Sequence, residues 1–135
     1  MILGLQHIDP QRIAAIDSNR VELRYAEISQ LSQQITSLIP TRSLCFLLVE
    51  NNVGGIAWVM SMLDSRQLVP LILNVKTEDS LYQQLLNTYQ PNYICAPNHF
   101  AVQGEVVDCQ YQYTLTKISD STPTLHSELS HLLPT

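Results

Sequence analysis

Apolar positions in this chain fall into two alternating rhythms, and those rhythms set the elements it is expected to form. Ile13-Ala14-Ala15-Ile16 and Val21-Glu22-Leu23-Arg24-Tyr25 are short extended pieces separated by the polar turn Asp17-Ser18-Asn19-Arg20, which predicts an N-terminal β-hairpin. From Ala26 to Ile39, the residues Ile28, Leu31, Ile35, Leu38 and Ile39 recur on one helical face, with Gln and Ser on the other, until Pro40 ends the helix. Leu44 to Val49 is an unbroken apolar run of strand length, the pattern of a strand covered on both faces. Asn51-Asn52 then offers an N-cap for a helix in which Val53, Ile56, Ala57, Val59, Met60 and Leu63 leave hardly any polar face.

Leu68 to Leu73 repeats the strand pattern, and Pro70, which cannot donate to a ladder, places it at a strand end or sheet edge. Thr77 is the expected cap of a third helix, with Glu78 and Asp79 compensating the dipole and Leu81, Leu85, Leu86 and Tyr89 forming the buried stripe before Pro91. Tyr93 to Ala96 reads as the next strand, so the middle of the chain runs β, α, β, α, β with short connections, the order that gives right-handed crossovers in a parallel sheet. Beyond it the pattern loosens. Val106 to Tyr113 alternates as a strand or hairpin, a polar loop follows, and Leu129 to Leu133 is a last apolar strand. The expectation is a single α/β domain over residues 1–135: three layers, a mostly parallel sheet with flanking helices, and the N-terminal hairpin. Cys45, Phe46, Leu48, Val59, Met60, Leu71 and the helix residue Trp58 are the expected core.

Composition narrows the function more than the fold. Charged residues are 14% of the 135, against about 25% in ordinary soluble domains, and the seven Lys and Arg stand singly in a chain of net charge −5. Nucleic acid and membrane surfaces are therefore excluded as partners for want of a basic patch. Without a leader-like start or a membrane-length apolar run, the expected location is the cytoplasm. Cys45, Cys95 and Cys109 are too widely spaced for a CxxC pair and read as reduced thiols.

Motifs for catalysis are few. Gly54-Gly55 follows a strand and opens a helix, but no GxGxxG or GKS/T surrounds it and Glu50 would repel an anion, so close helix packing explains it. His7, His99, His126 and His131 show no i, i+3 or i, i+4 pairing, so loop or surface positions are expected rather than metal ligation. No GxSxG elbow is present. The residues alone assign no catalytic side chain and no metal ligand.

The order of segments nevertheless resembles the opening of the adenylate-forming (AMP-binding) superfamily, which includes acyl-CoA synthetases and the adenylation domains of peptide synthetases. Tyr25-Ala26-Glu27-Ile28 is similar to that family's Y-x-E-L helix start, Glu50-Asn51 to its polar strand end, and Val69-Pro70-Leu71 to its V-P-L. The likeness spans about residues 13–97. Arg24 stands where threonine is usual, Asp64-Ser65 where A-G is common, and Asn74 where proline often follows. Family members continue from a hydrophobic strand into a phosphate loop of the form T-S-G-S/T-T-G-x-P-K, and Leu132-Leu133-Pro134-Thr135 resembles that strand and the loop's first residue.

The resemblance implies an N-terminal subdomain fragment of an ATP-dependent ligase, catalytically incomplete by itself. ATP and Mg2+ would serve the full-length parent, none would be bound by the fragment, and Thr135 would lie near the ATP phosphates. It implies as partners the remainder of the same polypeptide, a carboxylic acid, and a thiol of coenzyme A or a carrier protein. A fragment that exposes apolar surface is also expected to form a weak homodimer. The alternative is a non-catalytic α/β module for protein interaction.

Overall fold

The computed structural model describes residues 9–119. The expected last strand at Leu129 to Leu133 lies outside them, as do Thr135, His7, His126 and His131. In chain order the elements are β1 (Ile13–Ile16), β2 (Glu22–Arg24), α1 (Tyr25–Leu38), β3 (Ser43–Val49), α2 (Val53–Ser65), β4 (Leu68–Asn74), α3 (Asp79–Tyr89), β5 (Tyr93–Pro97), β6 (Glu105–Gln110) and β7 (Tyr113–Lys117). β1 and β2 form the expected antiparallel hairpin, closed by Asp17, whose carboxylate accepts the Asn19 and Val21 amides.

The main sheet has five strands in the order β4-β3-β5-β7-β6. β3 pairs in parallel with β4 and with β5, whereas β7 is antiparallel to both β5 and β6. The sheet is thus mixed rather than mostly parallel. The alternation from Val106 onward is a two-residue hairpin, and a hairpin can only add antiparallel strands. Its turn residues, Tyr111 at φ 56° and Gln112 at φ 63°, both take the left-handed conformation that such a turn requires.

β3 is the central strand, and its alternate side chains feed two cores. Cys45 and Leu47 face Ile28, Leu31 and Ile35 of α1 and Ala57, Trp58 and Met62 of α2. Leu44, Phe46 and Leu48 face Leu85 of α3 together with Val69, Leu71 and Leu73 of β4. Helices therefore cover both faces, which is why the sequence of β3 shows no alternation. β4 is an edge strand, so Pro70 forfeits no ladder bond on its open side.

Three local expectations are corrected. The helix after Asn52 turns its Val53, Ala57, Trp58, Ser61, Met62 and Asp64 inward, so Val59 and Met60 are half-buried rather than core, and Ile56 is 39% exposed. The third helix begins at Asp79 with Glu78 at its cap position, while the Thr77 hydroxyl donates to the Asn74 carbonyl. Its stripe runs through Tyr82, Leu85, Leu86 and Tyr89, and Leu81 is exposed, because the Tyr82 ring stacks between Phe46 and Phe100. No helix among the described residues is long and apolar enough to cross a membrane.

Leu48 is 1% exposed at the middle of the second core. Leu48→Ala is expected to lower unfolding free energy by about 2–5 kcal/mol in denaturant titration, against about 0.5 kcal/mol or less for a surface change. A loss in the surface range would remove β3 from the centre of the sheet.

Candidate functional site

The chain leaves β3 for α2 on one face of the sheet and leaves β4 for α3 on the other, so the C-terminal ends of β3 and β5 flank the point where the crossovers diverge. Such a divergence opens a crevice, because no connection covers the strand ends there. Polar residues occupy it. Glu50 and Asn52 follow β3, Asn98 and His99 follow Pro97 at the end of β5, and Gln112 and Tyr113 arrive from the β6–β7 turn. Together they line a cleft of about 240 Å³.

Tyr113 organises these groups. It is buried, and its hydroxyl accepts the Glu50 amide at 3.0 Å while donating to Asn52 Oδ1 at 2.9 Å. Asn52 Oδ1 also accepts the Gly55 amide at 3.0 Å, so one side chain both caps α2 and receives the tyrosine. Burial, followed by smaller opposing effects of the Glu50 amide and carboxylate, pushes the Tyr113 phenol up from its ordinary value. It stays a neutral donor throughout the physiological range.

At the mouth of the cleft, Glu50 Oε1 and His99 Nε2 stand 2.7 Å apart, with the imidazole side chain 66% exposed. A carboxylate on one ring nitrogen fixes the orientation of the imidazole at the cleft's lining. This pair can exchange a proton or hold a polar group. On the far wall the Asn98 amide donates to the Gln112 carbonyl, and Asn98 Oδ1 accepts the Thr114 hydroxyl at 2.6 Å and the exposed Cys109 thiol at 3.5 Å.

The start of α2 does not present a phosphate cradle. The Val53 amide lies 3.4 Å from Asp17 Oδ2 and the Gly55 amide is taken by Asn52, while Glu50 adds negative charge. Gly54-Gly55 is instead a packing device, as its spacing predicts: a Cβ on Gly54 would stand 2.6 Å from the Tyr111 carbonyl oxygen and 2.7 Å from the Tyr113 ring. Trp58 is buried, with its indole N–H donated to the Gln110 carbonyl at 3.1 Å. Cys45 and Cys95 are buried free thiols, both pushed far above the ordinary thiol range by desolvation, and Cys109 is free and exposed. Among the described residues, no group of three or more His, Cys, Asp or Glu could hold a metal ion.

Of the residues singled out in the sequence, only Glu50 and His99 meet here. Asn52, Asn98 and Tyr113 were not foreseen as site residues. The signal for Asn52 and Asn98 was positional, since polar residues follow the ends of β3 and β5 at Glu50-Asn51-Asn52 and Asn98-His99, and Tyr113 had none. No family model matches the chain, and no curated protein matches it in sequence.

Tyr113→Phe leaves the Glu50 amide without its acceptor and is expected to cost about 1–3 kcal/mol in denaturant unfolding. A loss under about 0.5 kcal/mol would mean the hydroxyl does not hold the crevice. Tyr111, whose hydroxyl donates to Glu27 Oε2 at 3.2 Å, has its phenol pushed up to about 12, first by burial and then by the Glu27 carboxylate. Its folded value lies above the unfolded value of about 10, so its stabilisation is complete below about pH 10 and is lost as pH rises toward 12. Unfolding midpoints between pH 8 and pH 11.5 should therefore fall less steeply in Tyr111→Phe than in the wild type. An unchanged slope would rule out this linkage.

Proposed function

We propose that this chain is the N-terminal part of an ATP-dependent carboxylate-activating ligase of the adenylate-forming kind. The reaction joins a carboxylate to the AMP moiety of ATP with release of pyrophosphate, then passes the acyl group to the thiol of coenzyme A or a carrier protein. The observation that carries the reading is where the family-like segments fall. Tyr25-Ala26-Glu27-Ile28 opens α1, Val69-Pro70-Leu71 lies in the edge strand β4, and Glu50-Asn51 ends the central strand β3 beside the crevice. A helix start, a strand and the polar end of a buried strand are positions that accord with the reading. A cytoplasmic setting accords with the three free thiols.

The residues of the crevice do not themselves fit a triphosphate, since the first amides of α2 are engaged by Asp17 and Asn52 and the mouth carries Glu50. No step of the reaction is therefore assigned to them through ATP or Mg2+. Under this proposal Thr135 stands at the entry to the phosphate loop, and the glycines and lysine of that loop belong to residues outside these 135. What the chain's own groups contribute is a rigid strand end: Tyr113 fixes the Glu50 backbone, and Glu50 holds the His99 ring at the lining of the cleft. A second reading, an α/β module for protein interaction, draws on the apolar groove of about 190 Å³ formed by Val49, Glu50, Gly55, Ile56, Val59 and Met60.

The two readings separate on carboxylate-dependent ATP–pyrophosphate exchange. The full product of the gene that encodes these residues is expected to exchange with at least one acid from a panel of fatty, aromatic and amino acids. Residues 1–135 alone are expected to show neither exchange nor micromolar ATP binding by calorimetry, because the phosphate cradle is missing from them. Exchange by the 135-residue chain would overturn the assignment of its parts, and a full product silent across the panel would leave the interaction module.

A further inference from the structure

The five-stranded sheet ends on one side at β6, whose outer edge meets no other strand among the described residues. An open edge is a row of unused amides and carbonyls, and lysine or proline commonly guards it. β6 is six residues, Glu105-Val106-Val107-Asp108-Cys109-Gln110, with neither. The register shift between Val106 and Asp108 interrupts the ladder but leaves Val106 uncovered. Val106 is 63% exposed, the most of any large apolar side chain among the described residues. Cys109, whose ladder partner Thr114 shares a face with Thr116 opposite Val106, is exposed on that same face.

The chain itself supplies an occupant. Ser119 follows two residues after Lys117, the ladder partner of Glu105, so residues 120–135, outside the described residues, start at the Glu105 end of β6. A strand laid outside β6 lies two strand spacings from β7, about 10 Å. The nine residues 120–128, with Pro123 among serines and threonines, reach up to about 30 Å when extended. Residues 129–133 are about 16 Å long as a strand, a match for the roughly 20 Å of β6. Entry at the Glu105 end makes such a strand parallel to β6.

Charge favours this occupant over a second copy of the chain. Pairing two β6 strands gathers two copies of Glu105 and Asp108 in one ladder, where like charges oppose each other. Leu129-Ser130-His131-Leu132-Leu133 has no carboxylate. The apolar stretch Ile2-Leu3-Gly4-Leu5 is tethered elsewhere, because the Pro10 carbonyl accepts the Ala26 amide and holds that end of the chain at the start of α1, in the helix layer.

We propose that residues 129–133 dock on the free edge of β6 as a sixth strand of the sheet, parallel to β6 and covering Val106. β6 points the same way as β3 and β5, so this strand delivers Pro134-Thr135 to the end of the sheet where the crevice lies. The docking is independent of the ligase reading; only a phosphate loop following Thr135 rests on it.

The test uses the exposed Cys109 of the 135-residue chain as a trap, since Cys45 and Cys95 are buried. Leu129, Ser130, His131, Leu132 and Leu133 are replaced by cysteine one at a time, and each variant is oxidised gently at low protein concentration. A disulfide needs Cα atoms within about 7 Å, so trapping is expected at Leu132 or Leu133, level with Cys109 in the parallel arrangement, and not at Leu129. Trapping at Leu129 instead, at all five positions equally, or at none overturns the proposal. So does trapping by Leu3→Cys, which puts the N-terminal stretch on the edge, or a Cys109–Cys109 dimer of the unaltered chain, which puts a second copy there. In the unaltered chain, the β6 amides that face away from β7 are expected to exchange about tenfold slower than in Leu132→Asp/Leu133→Asp, with protection in β5 unchanged. Equal exchange in the two proteins would remove the sixth strand.

Discussion

Burial of β3 on both faces is the constraint on which the remaining structure depends. A strand with Leu44, Phe46 and Leu48 on one side and Cys45 and Leu47 on the other cannot meet water on either face, so helices must cover both. α1 and α2 close one side and α3 the other. That demand forces the crossover from β3 and the crossover from β4 onto opposite faces, and the polar crevice at the ends of β3 and β5 is the gap they leave. The site is thus a by-product of how the core is covered. Tyr113 makes the gap rigid by tying a third strand, β7, to the end of the first.

The elements legible in the sequence were those whose pattern follows from burial alone. Leu44 to Val49 reads as a two-faced strand and is one, and Pro70 marks the edge of the sheet and stands there. The helix from Val53 was harder because apolar residues surround it. Its inner face proved to carry Ser61 and Asp64, with Ile56 outside, since the hydroxyl of Ser61 finds the Ile28 carbonyl and Asp64 finds Ser32. Hydrophobicity cannot choose a face when polar residues find partners across a helix pair. The stripe of α3 shifted by one position for a related reason: Leu81 and Tyr82 both fit the helical period, and the aromatic contacts with Phe46 and Phe100 settle on the tyrosine.

The crevice was legible only in fragments. Glu50 and His99 are 49 residues apart, and their meeting depends on β3 and β5 being neighbours although β4 separates them in sequence. Tyr113 lies in an alternating stretch that shows a strand but not its partner. Its importance comes from the two left-handed residues before it, Tyr111 and Gln112, which turn β7 back toward the end of β3. Gly54 was visible as a packing glycine, and the group it makes room for is that same tyrosine ring.

Amide hydrogen exchange at Glu50 and Gly55 tests this account most directly. Both amides lie just beyond regular strand or at the first turn of a helix, where exchange is ordinarily fast, and here both are bound by side chains through the Tyr113–Asn52 link. The account predicts that they exchange as slowly as the amides of β3 itself, near the rate set by global unfolding. Exchange of Glu50 and Gly55 at the rate of open loops, with β3 protected, would contradict it by showing that the crevice is not fixed to the core.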